Sequence, residues 1–201
     1  MRPTNSPVAS FTHMESGTSE DWQIIANQFA KYAEQLPDRI IQHLLLLDGD
    51  FGGFQVDRLT HSLQSGTLAH RDGKDDEYVV CALLHDIGDT LGSYNHSEIA
   101  AAILEPFVSE ENHWMIKHHG IFQGYYFFHH LDMDRNMHKA YSEHPCYQRT
   151  IEFVSKYDAP AFDPNLDTFP LEFFEPMIRK VFAKPVRSLY KEGVEHLEAQ
   201  K

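Results

Sequence analysis

In the segment Leu83-Leu84-His85-Asp86-Ile87-Gly88, an imidazole and a carboxylate stand side by side at the end of an apolar stretch. Burying such a pair costs free energy unless something satisfies it. A bound cation would do so, because imidazole nitrogen and carboxylate oxygen are both ligand atoms and a carboxylate can hold one ion or bridge two. Neighbours in a helix point about 100° apart. Both can therefore face one cavity only near a helix end, where Gly88 loosens the backbone. More ligand types occur in order along the chain: His61 in Thr60-His61-Ser62-Leu63-Gln64, His96 in Asn95-His96-Ser97-Glu98, the pair His118-His119 before Gly120, and Asp158 after Lys156-Tyr157. Nitrogen and carboxylate ligation without thiolate suits iron, and equally manganese, zinc or cobalt. Cys81 and Cys146 read as bystanders. Histidines 43, 70, 113, 138, 144 and 196 read as solvated or locally bonded.

The elements that must position these residues read as helices throughout. Ser19 is the expected N-cap of a first helix carrying Ile25, Phe29, Tyr32 and Leu36 at helical spacing and closed by Pro37. A second helix is expected from Ile40 to Leu47, followed by a glycine-rich loop to Gly53. Asp57 caps a third helix, and Asp75 or Asp76 a fourth that is apolar nearly all round and hence central. Asn95 begins a fifth helix, and Glu110–His119 forms a sixth that Gly120 stops. Further helices are expected over Arg135–Ser142, Tyr147–Tyr157, Leu171–Phe182 and Val186–Glu198. No β-alternation stands out, so the expected fold class is all-α with roughly ten helices.

The order H…HD…H…H…D, from about Asp57 to Pro160, resembles the HD-domain superfamily of metal-dependent helical bundles, and within it the six-ligand, two-metal subclass. The resemblance implies that His61, His85 and Asp158 hold one ion, that His96 and His119 hold the other, and that Asp86 bridges them. His118 competes with His119 for the fourth histidine position. Two reaction classes share this scaffold, phosphohydrolases and oxygenases. The segments His61-Ser62-Leu63-Gln64 and Lys156-Tyr157-Asp158 are similar to the mixed-valence di-iron oxygenases of organophosphonate catabolism, which cleave the carbon–phosphorus bond of 1-hydroxylated substrates. That similarity implies two iron ions, Fe(II) and Fe(III), with O2 as co-substrate and a small organophosphonate as substrate. A metal-dependent phosphohydrolase is the alternative, and a non-catalytic sensor domain a third reading.

The best known branch of those oxygenases acts on a primary amine, and this chain departs from it at several positions. Phe51 and Phe54 replace an iron-gating Tyr and Glu; Asp89, Gln123 and Ser155 replace phosphonate-contacting His, Lys and Arg. Phe122, Tyr125, Tyr126, Phe127 and Phe128, with Tyr157, could instead surround a quaternary ammonium through cation–π attraction. The resemblance then implies (1-hydroxy-2-(trimethylamino)ethyl)phosphonate as substrate, with glycine betaine and phosphate as products. Gln123 and Arg135 are the first choices for holding the phosphonate, with Lys156 as a further donor, whereas Arg58 and Lys117 read as solvated charges. Asp89 is placed to orient a ligand histidine or a basic side chain.

Composition bounds the remaining classes. The 201 residues fit one domain, expected over 20–201 after a mobile N-terminal segment over 1–19. A net charge of -13 argues against a nucleic-acid or anionic-membrane partner. No apolar run approaches the roughly 20 residues needed to span a bilayer. Two cysteines and the absence of a signal-peptide pattern in the first dozen residues suit the cytoplasm.

Overall fold

The computed structural model describes residues 6–188, and among these the regular elements are all helical. Helix α1 (Ser19–Glu34) starts one residue earlier than its sequence suggests. Thr18 is the cap, accepting the Asp21 N–H while the Asp21 carboxylate accepts the Thr18 N–H. The same carboxylate takes the Ser10 N–H at 2.7 Å, which ties the preceding segment to the helix. Pro37 does not close α1 but sits in the first turn of α2 (Leu36–Leu44), where its missing N–H is harmless. A 3-10 turn (Leu45–Leu47) ends that element and buries Leu47.

The bundle is organised around α4 (Asp76–Leu84), whose residues Tyr78 to Leu84 are all buried. Its N-cap is Asp75, one of the two residues the sequence offers, and Asp76 is the first residue of the helix. Helix α3 (Arg58–Arg71), capped by Asp57, packs along one side of α4, and α9 (Leu171–Val181) covers another with Phe174 and Ile178. The helix expected to continue to Gly88 or Gly92 stops at Leu84. One separate turn, α5 (Asp89–Gly92), follows and leads to α6 (His96–Leu104). Helix α6 packs against the longest element, α7 (Glu110–Phe127), capped by Ser109.

Gly120 does not stop α7, which runs on to Phe127, so the aromatic run is itself helical. A glycine inside a helix costs only about 1 kcal/mol, and burial of Met115, Ile116, His119 and Phe122 along α7 outweighs it. The stretch Arg135–Ser142 forms only a 3-10 segment, Met137–Tyr141. Helix α8 (Tyr147–Phe153) continues into one wide π-helical turn, Val154–Asp158, closed by the Ala159 N–H donating to the Val154 carbonyl at 2.8 Å. The helix expected over Val186–Glu198 lies, from residue 189 onward, outside the described residues. No helix among the described residues is long and apolar enough to cross a membrane.

Candidate metal centre

Five elements deliver six side chains to one point. His61 comes from the first turn of α3, His85 and Asp86 from the turn just past α4, and His96 from the first residue of α6. His119 lies in the middle of α7, and Asp158 closes the π-helical turn. A wide turn of this kind is often found at functional sites. Here it is anchored by the Ser65 hydroxyl of α3, which donates to the Tyr157 carbonyl at 2.8 Å. Gln64 of the same helix donates to the Asp163 carbonyl at 2.7 Å. The polar residues after His61 thus hold the segment that carries Asp158.

The ring orientations are fixed by the backbone. Nδ1 of His61 lies 2.9 Å from the Ala161 carbonyl, Nδ1 of His85 2.8 Å from that of Ala82, and Nδ1 of His119 2.7 Å from that of Ile116. A carbonyl only accepts, so each Nδ1 carries the hydrogen and each Nε2 presents a lone pair, the usual arrangement of a ligating histidine. These lone pairs meet head-on: Nε2 of His61 and His85 are 3.1 Å apart, and Nε2 of His96 and His119 are 3.3 Å apart. Two acceptors at that distance repel unless a proton or a cation lies between them. His118 turns elsewhere, with Nδ1 on the Trp114 carbonyl and its ring stacked on Trp114 at 4.0 Å.

Asp86 links the two histidine pairs. Its Oδ2 lies 3.5 Å from His61 Nε2 and 3.4 Å from His85 Nε2, while its Oδ1 lies 3.4 Å from His96 Nε2 and 3.3 Å from His119 Nε2. Asp158 Oδ1 faces the first pair at 3.4 and 3.7 Å. Among the described residues, Asp86 Oδ1 and Asp158 Oδ2 are buried without a hydrogen-bond partner. His61, His85 and Asp158 form one group that could hold a metal ion, and His85, Asp86 and His119 another. Orphaned carboxylate oxygens beside opposed imidazole lone pairs are what a cation site leaves when described by protein atoms alone, and the donors fit such an ion.

The electrostatics are tightly shared. Burial opposes the imidazolium form of His61 and His85, yet Asp158 and Asp86 outweigh it and hold both above the ordinary imidazole range. Burial likewise opposes charge on Asp86 and Asp158, but the surrounding histidines keep both well below the usual carboxylate range.

A cavity of about 210 Å³ opens onto the cluster and is lined by His61, Asp86 and His96 together with Gln123, Arg58 and Phe162. Gln123 donates from Nε2 to Asp158 Oδ1 at 3.0 Å. Asp89 does both things the sequence suggests: its Oδ1 faces His96 Nδ1 at 3.4 Å, and its Oδ2 accepts from Arg58. Arg58, read from sequence as a solvated charge, instead lines the cavity. Phe162 is new to the site. It stacks on His61 with ring centroids 4.2 Å apart and on Phe54 at 4.6 Å, and no spacing rule linked it to His61 before the chain folded.

The other expected substrate contacts lie elsewhere. Phe122, Tyr125 and Tyr126 line a separate cavity of about 160 Å³ with His138, Ile151 and Val154, and the two cavities share no lining residue. Phe122 and Tyr125 leave α7 about 100° or more around the helix from Gln123, whereas Tyr126, three residues on, lies beside Gln123 and borders the second cavity. The Arg135 guanidinium lies 4.0 Å over the Tyr125 ring rather than in the metal cavity. Tyr157 is buried and donates to Asp72 Oδ2 at 2.5 Å, and Lys156 pairs with Asp72 and Glu152 on the surface. Both residues point away from Asp158, because neighbours in a helical turn diverge.

The helical fold and this donor cluster define a metal-dependent HD-domain protein. Residues 58–159 match the HD domain family model, just over half of the chain, and the chain belongs to that family. A segment of 72 residues is 38% identical to [1-hydroxy-2-(trimethylamino)ethyl]phosphonate dioxygenase (glycine-betaine-forming) of Leisingera caerulea, covering 30% of this chain and 36% of that protein. The match thus spans about a third of the relative's length.

Proposed function

We propose that this protein is a di-iron oxygenase that uses O2 to cleave the carbon–phosphorus bond of a 1-hydroxylated organophosphonate. The substrate is (1-hydroxy-2-(trimethylamino)ethyl)phosphonate, and the products are glycine betaine and phosphate. The observation that carries the two-ion part is the Asp86 carboxylate, whose two oxygens face two different histidine pairs. The similarity to the Leisingera dioxygenase supports the choice of reaction. His61, His85 and Asp158 would hold one iron, His96 and His119 the other, and Asp86 would bridge. When bound, the two irons supply Lewis acidity toward the hydroxyphosphonate and the redox capacity for O2. The reaction balances without an external reductant: an R–CH(OH)–phosphonate dianion and O2 give R–carboxylate and dihydrogen phosphate.

The chain's own residues supply position and exclusion. Gln123 donates to Asp158 Oδ1, the oxygen that faces His61 and His85, and so holds that carboxylate in place. Asp89 and the three backbone carbonyls orient the imidazoles. Phe162 covers His61, and exposed Phe54, stacked on Phe162, would offer the aromatic face to a cationic tail, a role the sequence had suggested for the α7 aromatics. Free Cys81 and Cys146 suit work in the cytoplasm, with residues 20–201 acting as one catalytic domain.

The deciding experiment follows phosphate release from the trimethylated hydroxyphosphonate by iron-loaded protein, with and without O2. Release of phosphate and glycine betaine only under O2 is expected. Oxygen-independent release from phosphate esters would make the protein a phosphohydrolase instead.

A further inference from the structure

We infer that Arg58 is the anion-binding residue of the metal cavity, and that Asp50 holds its guanidinium as an internal stand-in for the anionic group of the substrate. This inference rests on the reading above only in taking that group to be a phosphonate. Among the described residues lining the cavity, Arg58 is the one Lys or Arg side chain. The other charged side chains lining the cavity are Asp57, Asp86 and Asp89, so apart from the metal ions themselves Arg58 is the one positive charge offered to an entering anion by the described lining residues.

The guanidinium is held on two sides of different character. On the inner side, Nη1 donates to Asp89, whose side chain is only 8% exposed and also faces His96. That contact belongs to the metal site and fixes the direction of the arginine. On the outer side, Nε donates at 3.1 Å to Asp50 Oδ2, on a side chain that is 65% exposed. Asp50 sits in a loop where Gly49, Gly52 and Gly53 all have positive φ, at 79°, 52° and 91°. Its second oxygen accepts the Gly52 N–H at 3.1 Å, and a Cβ on Gly52 would come within 3.1 Å of Arg58 Nη2. The loop therefore folds over the outer edge of the guanidinium, and it can do so because glycine leaves room.

A phosphonate oxygen presents to that edge the same charge and acceptor geometry as a carboxylate. An exposed carboxylate is a weak competitor, since such pairs contribute little in water. An incoming phosphonate can therefore displace Asp50 while Asp89 keeps the arginine aimed at the cavity.

Arg58 and Asp50 give the test opposite signs. Binding of inorganic phosphate to metal-loaded protein is measured by calorimetry, with metal content assayed on each sample. Arg58→Gln should weaken binding at least about tenfold, the scale of a lost charged hydrogen bond. Arg58→Lys should fall between the two, and should raise KM more than it lowers kcat. Asp50→Asn should tighten binding about two- to fivefold, because the internal competitor is gone. A purely structural pair would make both substitutions weaken binding together. Wild-type affinity in Arg58→Gln with full metal content, or unchanged or weaker binding in Asp50→Asn, overturns the assignment. These signs do not depend on O2, so a failure of the oxygenase reading is separately visible.

Discussion

Gly88 lies where α5 crosses the start of α6, and alanine there should disable one half of the metal centre while sparing the other. A Cβ built on Gly88 would sit 2.2 Å from the His96 carbonyl oxygen, 2.9 Å from its carbonyl carbon and 2.9 Å from Ile99 Cβ. The first two are backbone atoms and cannot rotate away, so the His96 end of α6 must retreat by about 0.8 Å to reach even 3.0 Å. Metal sites tolerate deviations of about 0.2 Å in ligand distance. The shift therefore exceeds that tolerance roughly fourfold at His96, whereas His61 and Asp158 sit on α3 and the π-helical turn, outside this contact. Overpacking of this kind costs about 1–3 kcal/mol, or roughly 2–12 °C in melting temperature for a chain of this size. Metal analysis of Gly88→Ala should show the ion content falling from two per chain to one, with helical content by circular dichroism unchanged. Two ions bound with wild-type affinity would refute the argument that this glycine positions His96.

The choice between neighbouring histidines can be checked in the same way: His119→Ala should lose one ion per chain, whereas His118→Ala should keep both, because its ring is stacked on Trp114. Tyr157→Phe should leave turnover unchanged and lower the melting temperature by a few degrees, as expected for losing a hydrogen bond worth about 1 kcal/mol, here the one to Asp72. A tenfold loss of kcat in that variant would return Tyr157 to the substrate site. The acid limb of stability should depend on Glu77. Partial burial raises its pKa, but the Ser109 N–H at 2.7 Å, the Asn112 amide at 2.6 Å and nearby Arg149 prevail and hold it below the ordinary glutamate value. A carboxyl whose folded pKa is depressed contributes stability above its unfolded value of about 4.3 and loses it as pH falls through the folded one. Glu77→Gln should therefore destabilise at neutral pH and flatten the loss below about pH 4.3; identical acid profiles would show that the network contributes nothing.

The helical class and the donors at the centre were legible because their signals are local. Asp57 and Asp75 read as caps and act as caps, and the apolar run from Val79 to Leu84 marked α4 as central. The order of histidines and aspartates also singled out the residues that the fold gathers around Asp86. Failures arose where tertiary packing overrides a local rule. Gly120 looks like a stop, yet α7 passes through it because its flanking side chains are buried on both sides. Cavity walls were the least legible part. Phe162 and Arg58 belong to the site through contacts with His61 and Asp89, and a helical wheel of α7 alone would have separated Gln123 from Phe122 and Tyr125. Lys156 and Tyr157 were misplaced for a similar reason, since adjacency to Asp158 in sequence is divergence on a helical turn.

The most direct test of the paired-cation centre is electron paramagnetic resonance on iron-loaded protein after one-electron oxidation. Two irons sharing the Asp86 carboxylate should give a single antiferromagnetically coupled Fe(II)/Fe(III) signal of spin one-half, and Asp86→Asn should abolish it. An isolated high-spin ferric signal with one iron per chain, unaffected by Asp86→Asn, would contradict the account.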